Sequence, residues 1–216
     1  MPWRASRRGP SVGEEAATED PSLTDLIREA DGVWLVDPLD GTSNFVAAST
    51  DHSVMVALVE HAETVAAWMW HPASEVMAHA AREAGAWLDD ERVTARPPMR
   101  DSASLRGVLK TRFLPGGIRE RVGDDDGILG AASEGRSCAG LDYPDLVCGA
   151  VDFLLYWRTL PWDHVPGVLF AQEAGLQGAR PDGTSYQPGD EGSGLVISHR
   201  DVWDEISEAF LGNPAG

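Results

Sequence analysis

Cysteine is scarce in this chain of 216 residues, since only Cys138 and Cys148 occur. Two thiols alone do not make a disulfide framework, and neither a Cys-x-x-Cys pair nor a Cys/His spacing typical of zinc accompanies them. We therefore interpret both as small side chains buried in the fold.

Long apolar runs are also missing. The chain opens with MPWRASRRGP, which is basic but is not followed by the apolar segment that a signal peptide contains. No run approaches the roughly 18 apolar residues that a transmembrane helix needs. These absences predict a protein of the reduced cytoplasm without a membrane partner.

Basic residues are few, because 17 Lys and Arg stand against 35 Asp and Glu, which gives a net charge of −18. Such a surface repels nucleic acids and anionic membranes, so we expect neither as a partner. Small phosphate esters are not excluded, because divalent cations can neutralise carboxylates locally. With 43% apolar and 24% charged residues, the chain has a globular composition and can bury a sizeable core.

The apolar pattern changes along the chain. Strand-like stretches at 52–59, 65–70 and 76–81 are joined by short connections, which predicts neighbouring antiparallel strands. Beyond position 100, strand and helix patterns alternate; one helix is predicted at 143–150, where Pro144 suits a first helical turn.

This order of patterns predicts a layered α/β architecture. The expected divisions are a loose N-terminus at 1–12, a metal-binding half at 13–100 and a C-terminal half with the substrate pocket at 101–216. A linker is expected at 100–104 and a charged turn at 124–126.

The most informative segment is VWLVDPLDGTSNF at 33–45, where a predicted buried strand ends at Asp37-Pro38. Asp37 and Asp40 follow closely, and Gly41 relieves the turn, so two carboxylates and a backbone carbonyl turn toward one point. This is a hard oxygen ligand set suited to Mg²⁺, although a plain solvated β-turn is the alternative. The residues from Gly41 onward could open a short helix whose free N–H groups face a phosphate.

Two further acidic elements have simpler interpretations when each is taken alone. Glu14 in Gly-Glu-Glu fits a solvated acidic stretch, and Asp163 in Leu-Pro-Trp-Asp-His fits the N-cap of a helix at 163–174, with Pro166 at its third position. Taken together with Asp37 and Asp40, these separated acidic elements are what a multi-metal phosphatase site requires.

At these residues the chain resembles a known family. VDPLDGTSNF is similar to the signature of the inositol monophosphatase superfamily, Asp-Pro-Ile/Leu-Asp-Gly-Thr-x-Asn-Phe. Gly-Glu-Glu upstream and Trp-Asp downstream occur in the same order and at similar spacing, and Cys138-Ala-Gly and Glu173-Ala-Gly echo two of its other turns. The resemblance covers 13 to about 212 and implies a Mg²⁺-dependent, lithium-sensitive-type phosphatase with an αβαβα layered sandwich.

The resemblance also implies roles for individual residues. Glu14, Asp37 and the carbonyl of Leu39 would bind one Mg²⁺, and Asp37, Asp40 and Asp163 a second. Glu14 and Thr42 would orient and help deprotonate a metal-activated water, and Asp40 completes the catalytic set. Substrate contacts are implied for Gly41, Thr42, Ala139, Tyr156 and Asp163.

Two departures from the family pattern stand out. The two helices that normally precede Gly-Glu-Glu have no counterpart in MPWRASRRGPSV, so we expect an N-terminally shortened fold. An apolar sheet face left open in this way favours instability or association, including a homodimer. Tyr156 occupies the position of a glutamate that contacts ring hydroxyls in inositol-specific members, which argues against myo-inositol phosphate itself.

The sequence thus predicts a phosphomonoesterase for a small phosphorylated polyol, sugar or inositol. Two alternatives stay open: a phosphatase of nucleotides such as adenosine 3′,5′-bisphosphate, which would need a base-stacking pocket, and a catalytically inactive remnant. Tyr156 either stacks on a sugar or packs in the core, and His164 either contacts substrate or is structural.

Overall fold

The computed structural model describes residues 9–98, 105–123, 127–190 and 192–212. The expected linker at 100–104 and charged turn at 124–126 lie outside these ranges. The strands are β1 (Ser11–Gly13), β2 (Gly32–Asp40), β3 (Ser53–Glu60), β4 (Glu63–His71), β5 (Val76–Ala81), β6 (Gly85–Leu88), β7 (Glu91–Val93), β8 (Arg106–Leu109), β9 (Ala131–Ser133), β10 (Phe153–Tyr156), β11 (Gln177–Ala179) and β12 (Leu195–Ser198). The helices are α1 (Glu14–Glu19), α2 (Leu26–Glu29), α3 (Thr42–Val46), α4 (Gly116–Gly123), α5 (Ala139–Val147), α6 (Pro161–Glu173) and α7 (Arg200–Leu211), with 3₁₀ turns at Pro21–Asp25 and Thr111–Phe113.

The first sheet contains β1 to β7 in sequence order. All its neighbours are antiparallel except β1 and β2, which confirms the antiparallel strands predicted at 52–59, 65–70 and 76–81. The prediction of a loose N-terminus at 1–12 was wrong for its last two residues, Ser11 and Val12. Ser11 and Val12 pair with Trp34 and Leu35, and Val12 is fully buried, so this apolar side chain stabilises a short added strand.

The second sheet has the order β11-β12-β10-β8-β9. Here β8, β9 and β10 run parallel, whereas β11 and β12 are antiparallel to their neighbours. The two sheets use the chain on either side of position 100, while the division into two halves as domains stays a prediction.

Helices separate and cover the two sheets, which gives the layered α/β fold that was predicted. The central helix, α6, contacts β2 to β6 on one side and β11 on the other, and α5 packs beside it. On the far side of the second sheet, Trp203 and Phe210 of α7 join a core cluster with Phe153 and Leu155. No helix in the described ranges has the length and apolarity needed to cross a membrane.

Helix α5 begins earlier than predicted, at Ala139 instead of 143, so Pro144 lies inside it. A proline at this place cannot donate to the carbonyl of Gly140. The Nε2–H of buried His71 donates to that carbonyl instead, at 2.8 Å. A side chain of β4 thus supplies the hydrogen bond that Pro144 cannot, which allows the helix to continue through the proline.

The start of α6 also differs from the prediction. Leu160 is its N-cap and Pro161 its first residue, so Asp163 lies in the first turn and is not the N-cap. Proline is favoured at a first helical position because its fixed φ suits the helix and its missing N–H has no partner there. Asp163 therefore does not cap the helix.

Candidate active site

One cavity of about 350 Å³ collects all the residues that the sequence predicted for the site. Its walls come from the end of β2 and the starts of α1, α3, α5 and α6. The predicted residues that line it are Glu14, Asp37, Leu39, Asp40, Gly41, Thr42, Ala139, Tyr156 and Asp163. The structure therefore brings together side chains that are far apart in the sequence.

Strand β2 does not end at Asp37-Pro38 as predicted but continues to Asp40, with a shift in its pairing to β3 between Asp37 and Asp40. Asp37 is 2% exposed, and its carboxylate accepts a hydrogen bond from the Leu39 N–H at 2.9 Å. The Thr42 hydroxyl donates to the Leu39 carbonyl at 3.0 Å. The irregular end of the strand thus folds the carboxylate and the carbonyl back toward the cavity.

Gly41 makes this turn possible. Its φ is 84°, in the left-handed region, and a Cβ on it would lie 2.8 Å from the carbonyl oxygen of Asp51. Any L-residue with a side chain would be strained here. Helix α3 starts directly after it, which brings Thr42 into the cavity wall.

Asp40 is the most firmly held of the four carboxylates. Its Oδ2 accepts hydrogen bonds from Gly140 N–H at 2.7 Å, from Cys138 Sγ at 3.1 Å and from Ser53 Oγ at 3.2 Å. Cys138 is buried as predicted, and its burial raises the thiol pKa well above the ordinary range. Cys148, in contrast, is exposed, so the expectation that both thiols are buried was wrong for this one.

Glu14 and Asp163 are far apart in the sequence, but both reach the cavity. Glu14 begins α1 directly after β1, whose last residue Gly13 pairs with Val36, so it lies beside Asp37. Asp163 lies in the first turn of α6, close enough to Asp37 for the charge of that carboxylate to raise its pKa. Three elements, α1, β2 and α6, thus place four carboxylates at one cavity.

The charge state of these carboxylates follows from their burial. Desolvation, and after it the repulsion from neighbouring carboxylates, raises the pKa of Asp37 to about 6 and that of Asp163 to about 8. Burial also raises the pKa of Asp40 above its ordinary value. Buried carboxylates of this kind are favoured in the charged form once a cation neutralises them.

The donor set fits Mg²⁺ in composition, because carboxylate and carbonyl oxygens are the ligands that this ion prefers. The arrangement is not that of a preformed site. In the part of the chain that the structure describes, no group of three or more His, Cys, Asp or Glu side chains is placed to hold a metal ion. The metal-ligand roles of Glu14, Asp37, Leu39, Asp40 and Asp163 therefore stay predictions.

Tyr156 forms part of the cavity floor. It is 4% exposed, its hydroxyl donates to Asp142 Oδ2 at 2.9 Å, and its ring centroid lies 4.5 Å from that of His164. Burial raises the pKa of Asp142 to about 6 and lowers that of His164 to about 3, so the histidine is neutral. These contacts favour the packing interpretation of Tyr156 over stacking on a sugar.

Several cavity residues were missed by sequence reasoning. Lys110, Arg112 and Phe113 follow β8, and Arg158 follows β10, the parallel neighbour of β8. The carboxyl ends of parallel strands are a common place for ligand contacts, but this signal becomes usable only once the parallel pairing of β8 and β10 is known. Glu134, Ser137 and Trp157 also line the cavity and were not predicted, whereas Ser43, Cys138 and His164 lie in segments that the sequence had already singled out.

Fold and cavity together define a layered α/β protein with a pocket that four carboxylates line. The chain belongs to the inositol monophosphatase family, whose profile matches residues 5–209.

Curated relatives carry different names. The chain is 27% identical over 188 residues to the fructose-1,6-bisphosphatase/inositol-1-monophosphatase of Thermotoga maritima, covering 84% of this chain and 68% of that protein. It is 33% identical over 161 residues to the inositol-1-monophosphatase of Rhizobium meliloti, covering 69% and 58%. To the Nus factor SuhB of Xylella fastidiosa it is 32% identical over 152 residues, covering 66% and 53%. The matches thus span between 53% and 68% of these relatives' lengths.

Solved structures share the fold. Staphylococcal IMPase-I complexed with products matches with a TM-score of 0.77 and 19% identity over 94% of this chain and 73% of that one. Inositol monophosphatase-II from Staphylococcus aureus matches with a TM-score of 0.75 and 22% identity over 95% and 75%. At these identities the likeness concerns the fold.

Proposed function

We propose that this chain is a Mg²⁺-dependent phosphomonoesterase for a small phosphorylated polyol, sugar or inositol. The observation that carries the proposal is a set of four carboxylates that line one cavity from three different elements, namely Glu14, Asp37, Asp40 and Asp163. Membership of the inositol monophosphatase family and the phosphatase names of two matched relatives support it.

The resemblance to the family implies two ion positions among these donors. Glu14, Asp37 and the Leu39 carbonyl would hold one Mg²⁺, and Asp37, Asp40 and Asp163 the other, with Asp37 shared. When bound, such ions lower the pKa of a water molecule and stabilise the leaving oxygen. Asp37 and Asp163 must each lose any proton they hold before they can act as ligands.

Thr42 and Glu14 have the chemistry to orient the attacking water. Because the Thr42 hydroxyl donates its proton to Leu39 O at 3.0 Å, its oxygen keeps its lone pairs for other partners. It can therefore accept a hydrogen bond from a water in the cavity, and the Glu14 carboxylate can take up the second proton of that water. The first amides of α3, Gly41 and Thr42, would contact phosphate oxygens.

The nucleotide alternative is less well supported by the cavity. A base needs an aromatic face, and Phe113, which is 40% exposed, lines the cavity. The Arg158 guanidinium already lies over that ring, 4.2 Å from its centroid.

One matched relative is named a Nus factor and not a phosphatase. The absence of a nucleic-acid partner, the homodimer and the cytoplasmic location remain predictions.

Phosphate release by the purified protein tests the proposal, measured with and without Mg²⁺ across inositol, sugar and nucleotide phosphates. The Asp40→Asn variant is the blank, and Asp31→Asn, at an exposed position outside the cavity, is the matched control. We expect Mg²⁺-dependent release from wild type and Asp31→Asn only. A folded wild-type protein that releases no phosphate from any ester would support the inactive alternative.

A further inference from the structure

Three basic side chains line the same cavity as the acidic cluster. Lys110, Arg112 and Arg158 line it, although the whole chain has only 17 Lys and Arg against 35 Asp and Glu. Lys110 and Arg112 follow β8, and Arg158 follows β10, which pairs with β8 in parallel. The pairing of two strands thus brings these cations to one edge of the second sheet.

Among the residues that the structure describes, Arg112 and Arg158 differ from many other arginines in having no carboxylate as an ion-pair partner. Arg136 is 2.7 Å from Asp145 and 3.1 Å from Asp51, so its charge is neutralised. Within the described ranges, no carboxylate lies at ion-pair distance from Arg112 or Arg158. Instead both guanidiniums lie near the Phe113 ring, at 5.3 Å and 4.2 Å from its centroid.

The nearby acidic groups of this wall are already engaged. Glu134 accepts hydrogen bonds from the N–H and the hydroxyl of Thr111, and its backbone carbonyl accepts one from Lys110. Asp142, 3.9 Å from Lys110, is buried and accepts the Tyr156 hydroxyl. Arg112 and Arg158 therefore have no ion-pair partner among the described residues and can bind a ligand in the cavity, although the charge of Arg158 also lowers the pKa of Asp163.

Metal binding does not explain these arginines. Positive charge close to a Mg²⁺ site weakens binding of the ion through Coulomb repulsion. The phosphate that is to be hydrolysed would lie against the carboxylate side, where the ions compensate its charge. An arginine pair in the same cavity suits a further anion, because guanidinium groups form strong paired hydrogen bonds with carboxylates and phosphates.

We propose that Arg112 and Arg158, supported by Lys110 and spaced by Phe113, form a subsite for a second anionic group of the substrate. The preferred substrate is then a phosphate monoester that carries another phosphate or a carboxylate at its far end. This assignment rests on the proposed function for the place of the scissile phosphate. The existence of the anion subsite itself can be tested without turnover.

The test measures binding by calorimetry in the presence of Mg²⁺, with inert phosphonates as probes. Alkylphosphonates of increasing chain length are compared with the matching ω-phosphonocarboxylates and alkane diphosphonates. The measured quantity is the ratio of the dissociation constants for the singly and doubly anionic probes of equal length. The carboxylate and diphosphonate series distinguish the two sources of the second charge.

We expect wild type to prefer a doubly anionic probe by at least about tenfold at the fitting length, which is the range of charge-assisted hydrogen bonds. The Arg112→Gln/Arg158→Gln double variant should lose this preference, and Arg158→Lys should keep part of it. Arg92→Gln, on β7 and outside the cavity, removes the same charge and should retain the full preference.

Equal binding of both probe classes by wild type, or a preference that survives in the double variant, would overturn the subsite. An equal loss for both classes would also overturn it, because the arginines would then act by supporting the carboxylate side. A preference without hydrolysis of any ester would preserve the anion subsite and reject the phosphatase proposal.

Discussion

The Gly140 amide donates a 2.7 Å hydrogen bond to Oδ2 of Asp40, and this contact joins the first sheet to the start of α5. Cys138 and Ser53 contact the same oxygen. No hydrogen bond among the described residues reaches Oδ1. Asp40 therefore has a fixed orientation, with one oxygen held by the protein and the other available to a cation.

Asp40→Asn should abolish Mg²⁺-dependent turnover while the fold stays intact. The amide oxygen of Asn can replace Oδ2 and keep the Gly140 hydrogen bond, which places the NH₂ group where Oδ1 was. An NH₂ group cannot ligate Mg²⁺. We expect phosphate release to fall by at least about a hundredfold, with unchanged circular dichroism. Turnover like that of wild type would remove the metal role of Asp40.

Thr42→Ala should mainly lower kcat, because the hydroxyl that donates to Leu39 O is lost from the position where we place the attacking water. A decrease of about 10² to 10⁴ is the usual effect of losing a group that handles a proton. Thr42→Ser keeps the hydroxyl and serves as the matched variant, with kcat close to wild type. A change confined to KM would argue against water activation by Thr42.

The local motif made much of the site predictable. Asp37, Asp40, Gly41 and Thr42 are neighbours in the sequence, so one turn sets their relative positions whatever the rest of the chain does. Strands β3 to β5 were predictable for a similar reason, because short connections make antiparallel pairing local.

Features that depend on distant contacts were not predictable in this way. Arg158 reaches the cavity only because β10 pairs in parallel with β8, and nothing in the local sequence specifies that partner. Strand β1 is too short to show an alternating pattern, and β2 provides its pairing. The early start of α5 depends on the contact between His71 and the Gly140 carbonyl. His71 lies on β4 of the first sheet, far from α5 in the sequence.

Asp142→Asn should change the pH dependence of stability. Burial raises the pKa of Asp142 from 3.8 to about 6, so the folded state holds a proton that the unfolded state releases between these values. The favourable contribution is complete below pH 3.8 and is lost as the pH rises through 6. The Asn amide is neutral at all these values, and it can still accept from Arg136 N–H and donate to the Tyr156 hydroxyl.

The variant should therefore gain stability relative to wild type as the pH rises from 4 to 7, by up to about 3 kcal/mol. Urea unfolding at several pH values measures the difference in the free energy of unfolding between variant and wild type. The other titrating groups are the same in both proteins, so their contributions cancel in this difference. Parallel pH profiles for the two proteins would show that Asp142 is not the group responsible.

Mg²⁺ binding should release protons near neutral pH. Burial and mutual repulsion raise the pKa of Asp37 to about 6 and that of Asp163 to about 8, so at pH 7 the metal-free protein still holds most of the Asp163 proton. A cation ligand must be deprotonated, and binding therefore expels this proton. Mg²⁺ affinity should rise with pH up to about 8 and then level off.

Calorimetry of Mg²⁺ binding at pH 7, in buffers with different ionisation enthalpies, measures the number of protons released. For wild type the observed heat should depend on the buffer with a slope of about one proton. Asp163→Asn should bind Mg²⁺ more weakly and with a much smaller slope, since the Asn side chain has no proton to lose in this range. Buffer-independent heats for wild type would show that no proton is released, and hence that these carboxylates are already ionised before the ion binds.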